Sequence, residues 1–396
     1  MFISKKKRLG FGLVATALAA STMVGSASAD PAQFGALAGF GSDTSQDVLN
    51  ALAGKSNGIL YTPIQSSAAT GGRQVISFDA TPPAGAADNC VTPKIGAPTF
   101  TRPNGSTQGR RALSRAQDGT GYGSAECGIA DVSGLVDFAR SSSGPSGNSG
   151  ALTYIPFARD GISFAVYRPA GSPVTTMTRA ELDALFTTGP QEIGGVRMVP
   201  CGIQDGSGTY AFWNTAAGVS VSDEASATTL CRSLNAGSQP NGRLQENNAV
   251  ELKAAGDALV ALAGEANSQV VIGFSAGAYI AKSNGVAVPT PPAEVLIGSV
   301  SNNGSGTNLG SPITGTAPNL APNATFFADS VFGRRIYNVF PTGIITGFGN
   351  ADLKDLFVGP TSQICQATAT INTFGFLVAP DCGVTTITGD LVSGQL

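Results

Sequence analysis

Residues 249–274, AVELKAAGDALVALAGEANSQVVIGF, join the two patterns that decide the fold class. Over 249–266 the apolar residues recur at helical spacing, which predicts a helix with one buried face. The run at 270–274, VVIGF, is short, continuous and apolar, as in a buried strand. A helix that leads into a buried strand is the unit from which α/β proteins are built.

The same alternation occurs further upstream. Residues 155–167 are rich in β-forming side chains and predict a strand. The tetrapeptide Thr178-Arg-Ala-Glu181 has the form of a capping box, and Leu182 and Leu185 continue it at helical spacing. The chain is therefore predicted to be an α/β protein.

The composition excludes several classes of function. The 396 residues are 42% hydrophobic and 12% charged, which is typical of a folded protein long enough for two lobes. With 23 basic against 26 acidic residues, a broad basic face for nucleic acid is not expected. The chain contains no histidine, so it cannot build a Ser-His-Asp or Cys-His enzyme. No CxxC pair is present, and we predict neither a metal nor a cofactor.

The N-terminus has the form of a secretory signal peptide, predicted over residues 1–29. Lys5, Lys6, Lys7 and Arg8 form its basic region, an apolar run covers 9–20, and Ala-Ser-Ala at 27–29 forms the cleavage site. The apolar run is too short to span a bilayer, and no cysteine near the cut encodes a lipid anchor. Cleavage would leave 19 basic against 26 acidic residues. We predict an exported protein with net charge −7.

Export changes how the six cysteines are interpreted, because thiols outside the cytosol oxidise in pairs. Six cysteines allow fifteen pairings. Proximity along the chain favours three of them, each closing a modest loop: Cys90 with Cys127, Cys201 with Cys231, and Cys365 with Cys382.

Several turns rich in small residues stand just before predicted helices, where the first backbone N–H groups have no partner within the helix. Such helix ends attract anions. The turns are Gly41-Ser-Asp-Thr-Ser45, Asn104-Gly-Ser-Thr107 and Gln204-Asp-Gly-Ser-Gly-Thr209, with Arg140-Ser-Ser142 as a fourth candidate. Each turn taken alone is more commonly an ordinary helix cap. Their number in one chain favours convergence on a single anion.

Taken in order, these segments resemble the phosphate-binding (PstS-type) extracytoplasmic solute-binding proteins of ABC importers, in the secreted branch of high-GC Gram-positive bacteria. The resemblance runs from about residue 38 to 285, with a weaker echo at Arg335-Ile-Tyr-Asn-Val339. Besides the turns above, it rests on Arg102-Pro-Asn-Gly-Ser106, Asp137-Phe-Ala-Arg-Ser-Ser142, Tyr154-Ile-Pro-Phe-Ala-Arg-Asp160, Met177-Thr-Arg-Ala-Glu-Leu182, Leu244-Gln-Glu-Asn-Asn248 and Ile272-Gly-Phe-Ser-Ala-Gly-Ala-Tyr-Ile-Ala281.

The resemblance implies a type II periplasmic-binding fold, with two lobes joined by a hinge around a central cleft. It places lobe 1 at 30–155 and 285–396 and lobe 2 at 156–284. It implies inorganic phosphate or a related oxyanion as ligand and an ABC permease as partner; we expect a monomer. The implied ligand-binding residues are Thr44, Ser45, Ser106, Arg140, Ser141, Ser207, Gly208 and Thr209.

Two departures from the family pattern bear on the ligand. The family has an arginine just before the Asp-Gly-Ser-Gly-Thr turn, where this chain reads Gly202-Ile-Gln204, and an aspartate where this chain has Arg140. This difference would place the positively charged ligand residue, Arg140, on the opposite side of the cleft from the family's arginine. The alternative is that Arg140 is a surface salt-bridge residue. A carboxylate acceptor would distinguish protonated phosphate from sulfate. Asp43 and Asp205 are candidates for it, with an Asx-turn or cap role as the alternative.

One further motif, Gly273-Phe-Ser-Ala-Gly277, matches the GxSxG nucleophile elbow of hydrolases. Without histidine there is no base to activate Ser275, so we predict a binding protein and not an enzyme. The alternatives are a secreted scavenger or surface interaction protein of the same fold, with no transporter or another ligand, and a phosphoester-cleaving enzyme.

Overall fold

The computed structural model describes residues 37–83, 85–347 and 349–396, so the predicted signal peptide lies outside the described residues. The strands are β1 Leu37–Gly41, β2 Lys55–Ser56, β3 Ile59–Leu60, β4 Val75–Ser77, β5 Cys90–Val91, β6 Phe100–Thr101, β7 Tyr122–Ser124, β8 Gly128–Ala130, β9 Phe138–Ser141, β10 Leu152–Tyr167, β11 Thr176–Thr178, β12 Gln191–Ile193, β13 Val196–Pro200, β14 Gln269–Ser275, β15 Leu296–Ile297, β16 Ser299–Asn302, β17 Ile313–Thr314, β18 Ala321–Pro322, β19 Gly333–Pro341, β20 Leu377–Val378 and β21 Thr388–Gly389.

Helices alternate with these strands. They are α1 Gln46–Leu52, α2 Ser106–Asp118, α3 Arg179–Thr188, α4 Gly208–Ala217, α5 Val221–Ala227, α6 Thr229–Ser233, α7 Ala249–Leu259, α8 Ala276–Ser283, α9 Ala324–Ala328, α10 Thr342–Thr346, α11 Ala351–Phe357, α12 Gln363–Gln366 and α13 Thr368–Thr373. In the described part of the chain, none of them is long and apolar enough to cross a membrane.

Residues 249–274 fold as predicted, except that the helix ends earlier than its predicted end at residue 266. Helix α7 stops at Leu259, and the amides of Leu262 and Glu265 each bond a carbonyl three residues back, so that tight turns replace the predicted last helical residues. Strand β14 then follows with every residue buried. At α3 the capping box is present as predicted: Thr178 and Glu181 exchange side-chain and backbone hydrogen bonds.

The strand order defines the fold class. In one half of the main sheet the order is β4-β1-β9-β19-β10, and β19 runs antiparallel to β9 and β10 while β1 is parallel to β4 and β9. A late strand inserted antiparallel among early parallel strands is the pattern of the type II periplasmic-binding fold. The predicted α/β, type II fold class is confirmed.

Strand β10 joins the two halves of the molecule. Its first part pairs with β19 as far as Gly161, and from Ile162 onward it pairs with β14 and β15 instead. The second half then has the order β12-β13-β14-β10, with β15 on the other edge of β10. One continuous strand, β10, therefore carries the chain from lobe 1 into lobe 2. The chain returns to lobe 1 at β19.

The cores follow this division. Alternate residues of lobe 1 strands face opposite sides, so that Leu37 and Val75 pack in one cluster while Ala38 and Ile76 pack in another. Lobe 2 has a single core, which also contains residues from Val295 to Phe332. Because this segment packs with lobe 2, we propose moving the second boundary from 285 to about 333.

Three disulfides join the cysteines that are nearest along the chain. Cys90–Cys127 ties the β5–β8 hairpins of lobe 1, Cys201–Cys231 ties β13 to α6 in lobe 2, and Cys365–Cys382 closes the segment after α12. This is the pairing that chain proximity favours, and no cysteine in the chain is free.

Candidate functional site

The four predicted turns meet where the two lobes face each other. The hydroxyl oxygens of Thr44, at the start of α1, and Thr209, in the first turn of α4, are 3.0 Å apart. The amide of Thr107, in the first turn of α2, donates to the carbonyl of Gly206 at 3.0 Å. The helix starts of both lobes therefore converge, as the turn pattern predicts.

Glycine is required at two points of this contact. A Cβ on Gly208 would stand 2.3 Å from Ser106 Oγ and 2.4 Å from Ser142 Oγ. Gly105 has φ 98°, and a Cβ there would stand 2.7 Å from the Gly206 carbonyl oxygen. The lobes approach this closely only because side chains are absent, which explains the glycines in both turns.

Serine hydroxyls line the lobe 1 side of the contact. Ser142 bonds Ser42 at 3.0 Å and Ser106 at 3.2 Å between Oγ atoms, and its amide donates to Ser106 Oγ at 2.9 Å. The predicted Ser141 instead donates to the Ser143 carbonyl. Thus Ser142, one residue further along the same turn, faces the cleft.

The centre of the site holds the carboxylate of Glu246, which is fully buried. Its Oε1 accepts from the Thr44 amide at 3.1 Å, from the Thr209 hydroxyl at 3.0 Å and from the Thr44 hydroxyl. Its Oε2 accepts from the Ser207 hydroxyl. We call this donor set, Thr44, Ser207 and Thr209, the cradle.

An ion pair lies beside the cradle. Arg334 at the start of β19 and Asp160 in β10 are both buried and bond at 2.8 Å between Nη2 and Oδ2. Asp160 also accepts from the Gly277 amide. Burial raises the pKa of the Asp160 carboxyl, against the lowering effect of Arg334. The pair therefore joins the two strands that cross between the lobes.

Arg334 sets the direction of the cradle hydroxyls. Its Nη2 donates to Thr44 Oγ1 at 3.2 Å and to Thr209 Oγ1 at 3.0 Å. An arginine can only donate, so a hydroxyl that accepts from Arg334 keeps its own hydrogen for another acceptor. The hydroxyls of Thr44 and Thr209 both donate to Glu246 Oε1, so the cradle offers donors to an anion.

Two predicted ligand residues make no hydrogen bond to the cradle. Arg140 is fully buried and donates to the carbonyls of Gly39, Gly41 and Ser42 and to Ser77 Oγ, which uses four of its five N–H donors inside lobe 1. It is therefore neither a surface residue nor the cation of the cradle. Ser45 is buried at the start of α1 with its hydroxyl unpaired and makes no cap bond.

The two candidate acceptor aspartates lie outside the cradle. Asp43 lines a cleft of about 210 Å³ and accepts from Gln245 Nε2 at 3.1 Å. Burial raises its pKa to about 6, although Lys282 lowers it. Asp205 is exposed and pairs with Arg243 at 3.3 Å, beside a second cleft of about 260 Å³.

Ser275 of the GxSxG motif has a structural role. Its hydroxyl accepts from the Ala278 amide and caps α8, and its own amide donates to Asn247 Oδ1. Among the described residues no group of three or more acidic or cysteine side chains could hold a metal ion.

Sequence reasoning did not assign Glu246, Arg334 or Asp160 to the site. Glu246 and Asp160 do lie within segments that carry the family resemblance, and Arg334 directly precedes its last echo. For Asp160 and Arg334 the available signal was a charged side chain within an otherwise apolar strand pattern, since such a residue must find a partner when buried.

No family model matches the chain, and no curated protein is a detectable relative. Solved structures similar to it include an ABC-type phosphate transport receptor from Vibrio cholerae (13% identity, 87% of this chain and 100% of that one, TM-score 0.45). Others are PstS from Borrelia burgdorferi (11%, 86% and 98%, 0.36) and an ancestral soluble variant of the human phosphate-binding protein (13%, 87% and 91%, 0.42). These structural neighbours are PstS-type phosphate-binding proteins, and the similarity is one of overall architecture.

Proposed function

We propose that the protein is an extracytoplasmic solute-binding protein that captures an oxyanion, with inorganic phosphate as the first candidate, and delivers it to an ABC importer. One observation carries the proposal: donors from both lobes already surround a carboxylate at the cradle, between helix starts and next to a buried arginine. A group of converging N–H and O–H donors is suited to an oxyanion.

The two crossing strands supply the motion. Strands β10 and β19 are the hinge segments, and a ligand that contacts Thr44 of lobe 1 and Thr209 of lobe 2 at once stabilises the closed form. Because no step makes or breaks a covalent bond, the proposed role is capture and release.

Calorimetric titration of the mature protein with phosphate and then sulfate tests this function. We expect phosphate binding that Thr209→Val weakens at least tenfold, since valine keeps the shape and removes one donor to the anion. Thr215→Val on the exposed side of the same helix is the matched control and should bind as the wild type does. No heat with either anion from the folded protein would exclude the proposal.

The transporter partner is a separate part of the proposal. We expect the protein in the cell-wall or extracellular fraction, and phosphate uptake that depends on both the protein and a permease. If the protein is released freely into the medium and phosphate uptake is unaffected when its gene is deleted, a scavenger role is favoured instead.

A further inference from the structure

The Glu246 carboxylate bridges the two lobes. Glu246 belongs to lobe 2, where its neighbour Leu244 is part of the core, yet its Oε1 accepts both the amide and the hydroxyl of Thr44 in lobe 1. Its other bonds go to Ser207 and Thr209 of lobe 2. This side chain therefore makes the kind of closed-state contacts that a bound solute makes in a two-lobed protein.

The backbone around Glu246 fixes the carboxylate in that place. Its own amide donates to Gln204 Oε1 at 2.6 Å. The next residue, Asn247, bonds the Ser275 amide through Oδ1 and Thr44 Oγ1 through Nδ2, and Lys282 Nζ donates to its carbonyl at 2.8 Å. These four hydrogen bonds hold residues 246 and 247 next to the cradle.

The buried cations described near the cradle already face other carboxylates. Arg334 is paired with Asp160 at 2.8 Å, and Lys282 lines the same cleft as the Asp43 carboxylate. A phosphate that used the hydroxyls of Thr44 and Thr209 while Glu246 stayed in place would lie within contact of a like charge in a buried site, which is strongly unfavourable.

We infer that Glu246 is an internal ligand: its carboxylate closes the cleft when solute is absent, and the solute binds by displacing it from the cradle. The displacement half of this inference rests on the proposed function, because it assumes a solute that uses the same donors. The closure half does not, since it concerns the protein alone.

The displacement half is tested by titrating phosphate into Glu246→Gln and Glu246→Ala. Removal of the competing charge should tighten phosphate binding at least tenfold in both variants, while Glu192→Gln, the same charge change on an exposed strand, should leave it within twofold. Two variants are used because an alanine leaves space and a glutamine keeps the shape; thermal unfolding shows that each is folded. Weaker binding in both would overturn the inference, would make Glu246 a direct ligand contact, and would leave the proposed function standing.

The closure half is tested by small-angle X-ray scattering without any anion. We expect a closed wild type and a larger radius of gyration for Glu246→Ala, which returns to the wild-type value when phosphate is added. Identical ligand-free scattering for the two proteins would overturn the inference. If no variant binds any oxyanion but Glu246→Ala still opens, the proposed ligand fails while the internal closure holds.

Discussion

Two buried arginines on neighbouring strands, Arg140 in β9 and Arg334 in β19, have different hydrogen-bond partners. Arg140 donates to three backbone carbonyls and a serine, all neutral and all in lobe 1. Arg334 is paired with the Asp160 carboxylate and still reaches the hydroxyls of the cradle. The comparison shows that burial alone does not define a ligand residue; what matters is which donors remain directed at the cleft.

The largest expected effect comes from removing Arg334. Arg334→Met leaves the Asp160 charge buried without its partner and should cost roughly 3–5 kcal/mol of unfolding free energy. It should also abolish anion binding, because the hydroxyls of the cradle lose their orientation. Urea unfolding followed by the fluorescence of Trp213, the single tryptophan, measures the first effect, and calorimetry measures the second.

A double variant separates these two effects of Arg334. Adding Asp160→Asn to Arg334→Met removes the unpaired charge and should restore most of the stability without restoring binding. If the double variant binds the anion as the wild type does, Arg334 has no part in the site and the contrast with Arg140 disappears.

Arg140→Met should lower the stability without abolishing anion binding. Several buried carbonyls and Ser77 would lose their donor, at about 1–3 kcal/mol for each acceptor left unsatisfied, so stability should fall markedly. Anion affinity at a temperature well below unfolding should remain within about threefold, because the cleft keeps its donors. If Arg140→Met loses as much anion affinity as Arg334→Met does, the two arginines contribute equally to binding and the proposed difference between them is wrong.

Two buried aspartates also differ in their partners. Asp160 has an arginine partner, whereas the Asp43 carboxylate accepts a hydrogen bond from the neutral Gln245, and burial raises the pKa of Asp43 to about 6. The folded protein then binds more protons than the unfolded chain, so stability contributed by this group is greatest below about pH 4 and is lost as pH rises through 6. Lys282 and Glu246 act on Asp43 in opposite directions.

Asp43→Asn should therefore stabilise the protein at pH 7 by about 2–3 kcal/mol and change little at pH 4. Urea midpoints at both pH values check this. A variant that is less stable than the wild type at pH 7 would mean that the charged form of Asp43 is favoured in the fold.

The smallest expected effect concerns amides at the rim of the cleft. Asn104 of lobe 1 accepts from Gln204 at 2.7 Å and donates to Gln245 at 3.1 Å, both in lobe 2. Asn104→Ala should weaken anion binding by about fivefold, as expected for about 1 kcal/mol of closed-state contact. Unchanged affinity together with unchanged scattering would show that the cradle alone closes the lobes.

Much of the fold could be predicted because its signals are local. The spacing at 249–274, the capping box at 178–181 and the proximity of cysteines each involve few residues whose physics is decided within a turn or two. The convergence of helix starts was also predictable, since the turns before α1, α2 and α4 share one pattern. The signal peptide, outside the described residues, remains a prediction.

The cation and the central carboxylate could not be predicted in this way. Arg140 and Arg334 are equally conspicuous in the sequence, and only the pairing of β9, β19 and β10 puts one among carbonyls and the other beside the cleft. Likewise Glu246 and Thr44 are 202 residues apart in the chain and in contact in the fold.

By itself, the sequence determined the α/β class, the absence of histidine chemistry and the helix starts available to an anion, because these depend on residue type and short spacing. The tertiary structure alone decided which charges meet at the cradle. Ion pairs and hydrogen bonds depend on distances of about 3 Å, and between the lobes the hinge strands set those distances rather than any local pattern.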